Sequence, residues 1–276
     1  MKNSILTKSI SYKDFKKEIL NDYRNIVISR EASLLGRKEV LSGKAKFGIF
    51  GDGKELPQIA MAKVFDKGDF RSGYYRDQTF MFAINKLTVK QFFSGLYANT
   101  SFEEEPMSGG RQMGSHFSSI FVDNKGDFVD LTNQYNISSD ISPTSGQMPR
   151  LLGLAMASKH FRSGKFNSNK LSNNGNEIAW GTIGNASTSE GLFFETVNAI
   201  GVHQVPAVIS IWDDDYGISV DNSYQTTKLS ISEALKGFQR TKTEKGFEIL
   251  TVNGWDYPSL ILSLIHISEP TRRYEI

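Results

Sequence analysis

The apolar positions between residues 177 and 220 organise this chain around one predicted unit. Residues 177–183 form a short apolar run ending in glycine, as a strand buried on both faces of a parallel sheet would. Gly184, Asn185 and Ala186 predict a tight turn. Ser187 and Glu190 stand in capping-box spacing, so a helix is predicted from there through Leu192, Phe193, Val197 and Ile200. Residues 205–212 predict a second apolar strand, closed by Asp213, Asp214, Asp215, Tyr216 and Gly217. The unit is βαβ, and in such a unit both strand ends lie on one edge of the sheet, where open α/β folds bind ligands.

Helical periodicity continues the pattern elsewhere. Phe15, Ile19, Tyr23, Ile26, Val27 and Leu34 predict a helix over 14–35, which the basic, glycine-punctuated residues 36–50 could extend before breaking it. Residues 51–60 resemble a known Gly-x-Glu-Ala helix entry, and a second helix is expected over 55–64. Thr88 and Gln91 make a capping pair for a third, with Phe92, Phe93, Leu96 and Tyr97 on its buried side. Residues 147–161 predict a helix rich in small residues (Leu151, Leu152, Leu154, Ala155, Ala157, Ser158), with Pro149 near its first turn. Ser230 and Glu233 predict a further capped helix to about residue 238, followed by a strand over 247–252. Residues 101–106 read as a solvated acidic loop, and 163–175 as an exposed, turn-rich one. The expected fold is a three-layer α/β domain, with a mostly parallel sheet and helices on both faces.

Composition narrows the function classes. Of 276 residues, 39% are hydrophobic and 22% charged, with net charge +2, so no electrostatic case exists for nucleic acid or a membrane surface. Cysteine is absent, which removes disulfides and thiolate chemistry and fits a reducing compartment. The first residues lack the pattern of a signal peptide, and no run approaches the ~20 apolar residues of a membrane span. A soluble, cytoplasmic protein is expected. No internal repeat is evident, and no G-x-G-x-x-G follows a strand. The P-loop pattern is broken around Gly43 and Lys44, where Ala45 replaces Ser or Thr and Lys38 replaces the first Gly.

Three stretches carry candidate chemistry. Asn185 and Asp214 put oxygen-bearing side chains at the two predicted strand ends, and a hard cation such as Mg²⁺ takes oxygen ligands. The predicted helix start near Ser187 would favour phosphate. On the residues alone, ordinary polar turns are the favoured reading of this run, because polar loops at strand ends are common. In residues 69–78, Tyr75 and Arg76 could hold a diphosphate, since an Arg fork bonds two phosphate oxygens and a Tyr hydroxyl adds a donor. Arg71, Asp69 and Asp77 crowd the same stretch, so a surface ion-pair cluster is the alternative. His116 lies among glycines in a loop. Imidazole suits a step whose charge changes, although a lone loop histidine is more often structural. Of the four histidines it is the candidate, because His160 follows a helical Lys and His203 lies in a helix-to-strand turn. Gly51, Asp52 and Gly53 are no metal motif, since no apolar strand precedes them.

With those residues in view, residues 184–219 resemble the thiamine-diphosphate motif, which opens with Gly-Asp-Gly and ends with Asn-Asn. Within that group the chain is most similar to the alpha subunit of the decarboxylating 2-oxoacid dehydrogenases. It shares Ser189-Glu190-Gly191, the Glu195 and Asn198 pair, and Tyr216 with Ile218 and Ser219. Gly110-Arg111-Gln112-Met113, followed by His116, resembles the branched-chain branch, and Tyr75-Arg76 resembles the pair holding the diphosphate. The resemblance implies the thiamine-diphosphate-binding fold, with thiamine diphosphate and Mg²⁺ as cofactors. It puts the metal on Asn185, Asp214 and the carbonyl of Tyr216, and the cofactor on Tyr75, Arg76, Ser142, Thr144, Gly184, Ala186 and Ser187, with His116 as the catalytic residue. One departure stands out: the family's first ligand is a carboxylate and its second an asparagine, and here they are reversed.

The implied reaction is oxidative decarboxylation of a 2-oxo acid, with 2-oxoisovalerate favoured over pyruvate, and acyl transfer to a lipoyl group. The implied partners are a beta subunit or fused beta half and a lipoyl-bearing transacylase. The reversed ligands motivate one alternative, a non-catalytic binding or assembly subunit of the same fold. The expected organisation is an N-terminal helical segment over 1–50 and a diphosphate-binding domain over 51–261. Residues 262–272, LSLIHISEPTR, resemble the conceptual translation of a sequencing-library adapter. Residues 262–276 are therefore expected to be a non-native tail. The natural chain is expected to continue past about Ile261, with the family's second phosphate-side histidine beyond it.

Overall fold

Small side chains, rather than the apolar stripe, decide how α1 (Tyr12–Leu41) packs. Its buried positions are Asp22, Ser29, Ala32, Ser33 and Gly36, whereas Phe15, Tyr23, Val27 and Leu34 lie exposed. Ser11 caps the start, its hydroxyl accepting the Asp14 N–H at 3.1 Å. The helix runs beyond 14–35 because Gly36, the weakest helix former there, sits under the Phe50 ring, which a Cβ would meet at 2.4 Å.

The structure is a computed structural model and describes residues 10–166 and 168–273. The chain forms two units. One holds the described residues up to Val64, Arg76–Ser115 and Asn253–Ile265; the other holds Phe65–Tyr75, His116–Val252 and the described residues from His266 onward.

In the first unit, α2 (Glu55–Val64) spans the expected residues, and α3 (Gln78–Ala83) and α4 (Val89–Leu96) follow. A buried polar network ties them to α1. Gln78 donates to the Ser33 hydroxyl at 2.6 Å and accepts the Gly51 N–H at 3.1 Å. Gln58 donates to the Arg76 carbonyl at 2.9 Å and accepts the Phe80 N–H at 3.0 Å. Satisfied on both sides, such a network holds the main chain in one arrangement. The expected capping box opens α4: Thr88 accepts the Gln91 N–H at 3.2 Å, and the Gln91 side chain accepts the Thr88 N–H at 3.0 Å. Thr88→Ala is expected to lower stability by about 1 kcal/mol, as read from urea unfolding. Tyr97, expected on the buried side of this helix, is exposed instead. Its hydroxyl donates to the Glu39 carboxylate at 2.6 Å, which draws the ring to the surface.

In the second unit, β1 (Phe70–Ser72), β2 (Asn136–Ile137), α5 (Gln147–Arg162), β3 (Ala179–Gly184), α6 (Gly191–His203) and β4 (Ala207–Trp212) build the sheet and the helices of one face. The strand order is β2-β1-β3-β4, with every neighbour parallel, as expected for the α/β class. Met148, Leu151 and Ala155 of α5 and Phe193, Val197 and Ile200 of α6 pack with Ala179 and Ile183 of β3. Burial of each large side chain stabilises by roughly 1.5–3 kcal/mol. Gly181 lets α5 approach, since a Cβ there would lie 2.4 Å from Leu151. Trp180 points to the opposite face, as alternation along a strand requires. It is fully buried, its indole N–H donates to Asp69 at 3.0 Å, and its ring meets Phe65 edge-on at 6.2 Å.

After β4 comes a short hairpin of β5 (Tyr216–Gly217) and β6 (Val220–Asp221), then α7 (Ile231–Ala234). Ser230 caps α7, and a 3-10 turn carries on to Phe238, close to the expected end. The expected strand over 247–252 is absent among the described residues. Phe247 makes one parallel bridge to Gln239, and its ring stacks on Phe238 at 5.9 Å. Aromatic stacking, not strand pairing, uses the apolar character of that run. Finally, α8 (Tyr257–Arg273) contains residues 262–272, with Pro270 inside it. Within the first unit its Tyr257 hydroxyl donates to Asp22. Among the described residues no helix is long and apolar enough to cross a membrane.

Candidate active site

Because the four strands are parallel, their C-terminal ends share one edge, and the chain leaves that edge in four loops. Asn185 follows β3, and its N–H donates to the Trp212 carbonyl at 3.3 Å, which joins the ends of β3 and β4. The expected capping box at Ser187 and Glu190 is not made. Ala186–Ser189 form a 3-10 turn, and α6 starts at Gly191. Competing partners explain the change. The Thr188 hydroxyl donates to the Asn185 carbonyl at 2.5 Å, and the Glu190 carboxylate accepts from Thr144 at 3.0 Å. Ser145, held at φ +63°, adds a bond to the Ser187 carbonyl at 2.9 Å. The loop after β2 is thus clipped to the turn after β3.

Asn185 is only 2% exposed, and among the described residues its side-chain nitrogen has no hydrogen-bond partner. An unpaired buried amide is unfavourable by about 1–3 kcal/mol. An amide can turn either its oxygen or its nitrogen to a ligand, so the residue present here fits one. The hairpin after β4 lies alongside: a Cβ on Gly217 would sit 2.6 Å from that of Ala186. Asp214 is exposed between Asp213 and Asp215, and Tyr216 begins the hairpin. Among the described residues no group of three His, Asp or Glu side chains could hold a metal by itself. A site here would therefore combine an amide, a carboxylate and a carbonyl, a donor set suited to Mg²⁺.

The loop after β1 brings the aromatic groups, and the segment between α4 and β2 brings the imidazole. His116 is 5% exposed, its Nε2 lies 3.0 Å from the Ser142 hydroxyl, and its ring stacks on Tyr75 at 5.8 Å. Tyr74, which no sequence pattern singled out, is buried. Its N–H donates to Thr182 at 3.2 Å, and its ring packs toward Gly184. The second unit thus gathers Tyr75, His116, Ser142, Thr144, Gly184, Asn185, Ala186, Ser187, Asp214 and Tyr216 on its strand-end edge. Arg76 belongs to the first unit, where its carbonyl is held by Gln58 and would lie 2.3 Å from a Cβ on Gly51.

In the first unit the acidic loop also departs from expectation. Glu105 is 4% exposed rather than solvated. It accepts the N–H groups of Met107 (3.0 Å), Ser108 (2.8 Å) and Gly110 (2.9 Å), and the Ser108 hydroxyl (2.7 Å). Burial pushes its carboxyl up, but the bonds from Gly110, Ser108 and Met107 outweigh it and hold it below the usual range. Glu105 thus folds the loop that carries Gly110, Arg111, Gln112 and Met113. A depressed carboxylate contributes stability that is present above its unfolded pKa and is lost as pH falls through the folded one. Glu105→Gln lacks that contribution at every pH. The stability gap to the parent should therefore hold from neutral pH down to the usual glutamate pKa of about 4.5 and narrow only as the pH falls further in urea titrations.

Comparison with known proteins decides the family. The model of the dehydrogenase E1 component matches residues 23–259. This chain belongs to that family. The E1 components are thiamine-diphosphate-dependent oxidoreductases that decarboxylate 2-oxo acids. The chain is also 28% identical over 264 residues to the 2-oxoisovalerate dehydrogenase subunit alpha of Bacillus subtilis (strain 168), covering 94% of this chain and 68% of that protein.

Proposed function

We propose that this E1 chain supplies the diphosphate and metal half of a thiamine-diphosphate site. The assembled enzyme decarboxylates a branched-chain 2-oxo acid such as 2-oxoisovalerate and passes the acyl group to a lipoyl group on a transacylase. The observation that carries this reading is Asn185, buried at the end of β3 with its side-chain nitrogen unpartnered: as placed it is a donor for a phosphate oxygen, and turned over it presents its oxygen to a cation.

In this reading Asn185, Asp214 and the Tyr216 carbonyl hold Mg²⁺, with total ligand charge preserved although the carboxylate and amide are exchanged. Gly184, Ala186 and Ser187 line the diphosphate, together with Tyr75, Ser142 and Thr144. Arg76, next in the chain after Tyr75, offers its guanidinium fork to the phosphate oxygens. Thiamine diphosphate supplies a nucleophilic carbon and an electron sink for loss of CO₂. His116, oriented by Ser142 and packed under Tyr75, is placed to hold or move a proton. A beta-type partner completes the site. The substrate reading is supported by the 2-oxoisovalerate dehydrogenase relative and by the Gly110-Arg111-Gln112-Met113 run.

The test compares kcat/KM for 2-oxoisovalerate and pyruvate on the chain assembled with its beta-type partner. A clear preference for 2-oxoisovalerate is expected, and preference for pyruvate would refute the substrate. The chain alone should give no turnover in the same assay.

A further inference from the structure

We propose that Arg71 and Asp140 form a positioning pair for this reaction. Their buried ion pair ties together the three loops that carry Tyr75, His116 and Ser142. The inference rests on reading those residues as the thiamine-diphosphate site.

Both side chains are fully buried. The Arg71 guanidinium donates to the Asp140 carboxylate at 3.0 and 3.3 Å, and through Nη2 to the Tyr74 carbonyl at 2.9 Å. Asp140 Oδ2 also accepts the Phe117 N–H at 3.0 Å, and the Asp140 N–H donates to the Phe117 carbonyl at 2.9 Å. These bonds beyond the pair end on the main chain beside site residues: Tyr74 precedes Tyr75, and Phe117 follows His116. Ser142, which bonds His116 Nε2, lies on the loop that starts at Asp140. The Ser138 N–H donates to the Arg71 carbonyl at 3.0 Å, so the start of that loop is held as well.

Stability alone does not account for such a pair. Moving two charges out of water is expensive, and well-packed apolar residues in their place are often equally stable. What apolar residues lack is a fork of fixed geometry that bonds two loops at once. The local sequence makes room for the fork. A Cβ on Gly73 would lie 2.4 Å from the Arg71 guanidinium, which is itself enclosed and cannot swing away. Arg150 braces the same place, donating to the Ser72 hydroxyl at 3.0 Å and to the Ser139 carbonyl at 2.6 Å.

Single substitutions at Arg71 or Asp140 would leave one buried charge uncompensated and endanger the fold. The test is the double variant Arg71→Met with Asp140→Leu, and independently Gly73→Ala, each assembled with the beta-type partner. Tm, affinity for thiamine diphosphate with Mg²⁺, kcat and KM for the 2-oxo acid are measured. The double variant removes the partners of the Phe117 N–H and the Tyr74 carbonyl and should lower Tm. In the folded protein KM should match the parent, while kcat per folded site falls on the order of 10²-fold because the site groups lose their alignment. Cofactor affinity should fall in the same variant. A merely structural pair would lower Tm and leave kcat per folded site unchanged. Should the double variant not fold, the same fall in kcat at unchanged KM is required of Gly73→Ala. A folded variant with the parent's kcat and cofactor affinity overturns the positioning role alone. A parent that binds no thiamine diphosphate overturns the site reading and this inference together.

Discussion

Asp214→Asn is expected to abolish Mg²⁺-dependent binding of thiamine diphosphate. The variant would place two neutral amides, Asn185 and Asn at 214, before a divalent cation and a diphosphate. Changing a group that only supports a metal ligand weakens binding by ~10–100-fold, and loss of the site's one side-chain carboxylate should exceed that. Asn185→Asp restores the family's first ligand, so it should be tolerated or tighten the metal. Met148→Leu serves as the control. That side chain is fully buried in the apolar core between α5, α6 and the sheet, and the volume-conserving change should cost less than about 1.5 kcal/mol and lower cofactor affinity far less than Asp214→Asn does. Titration of each variant with cofactor and Mg²⁺ reads the result. Should Asp214→Asn bind like the parent, Asn185 and Asp214 are polar turn residues and the metal assignment fails.

The second large effect is expected at His116. His116→Ala should lower kcat by about 10²–10⁴-fold in the assembled enzyme, the usual contribution of a positioned acid or base. The imidazole is buried, its Nε2 engages Ser142, and Tyr75 covers its ring, so its orientation is set before substrate arrives. Ser142→Ala should cost less, because it removes the orienting bond and leaves the ring. Steady-state kinetics with 2-oxoisovalerate measure both. A His116→Ala enzyme within a few-fold of the parent would make this histidine structural.

The elements legible in the sequence are those whose signal is local. α2 follows from a resembled helix entry, α5 from a run of small and apolar residues, the box at Thr88 and Gln91 from its spacing, and β3, α6 and β4 from two apolar runs around a helix. β1 and β2 carried no such signal. They are three and two residues long, and they contain Arg71 and Asn136, fully buried polar residues that resemble surface positions. Their burial is made possible by partners far along the chain: Asp140 for Arg71, and the carbonyls of Gly68, Asp69 and Leu131 for the Asn136 amide. Glu105 escaped for the same reason, since its acceptors are filled by loop N–H groups that only the folded loop brings together. Within the site, Tyr75, His116, Ser142 and Asn185 were legible through a resembled motif. Tyr74 and Ser145 were not, and Glu190 bonds Thr144 instead of making its expected capping box, because these contacts depend on partners that tertiary contact alone supplies.

The most direct measurement is calorimetric titration of thiamine diphosphate into the chain assembled with its beta-type partner, with and without Mg²⁺. Saturable binding that requires Mg²⁺ and disappears in Asp214→Asn is the predicted result. Absence of binding, or equal binding without the metal, would contradict the half-site assigned to Asn185, Asp214 and Tyr216.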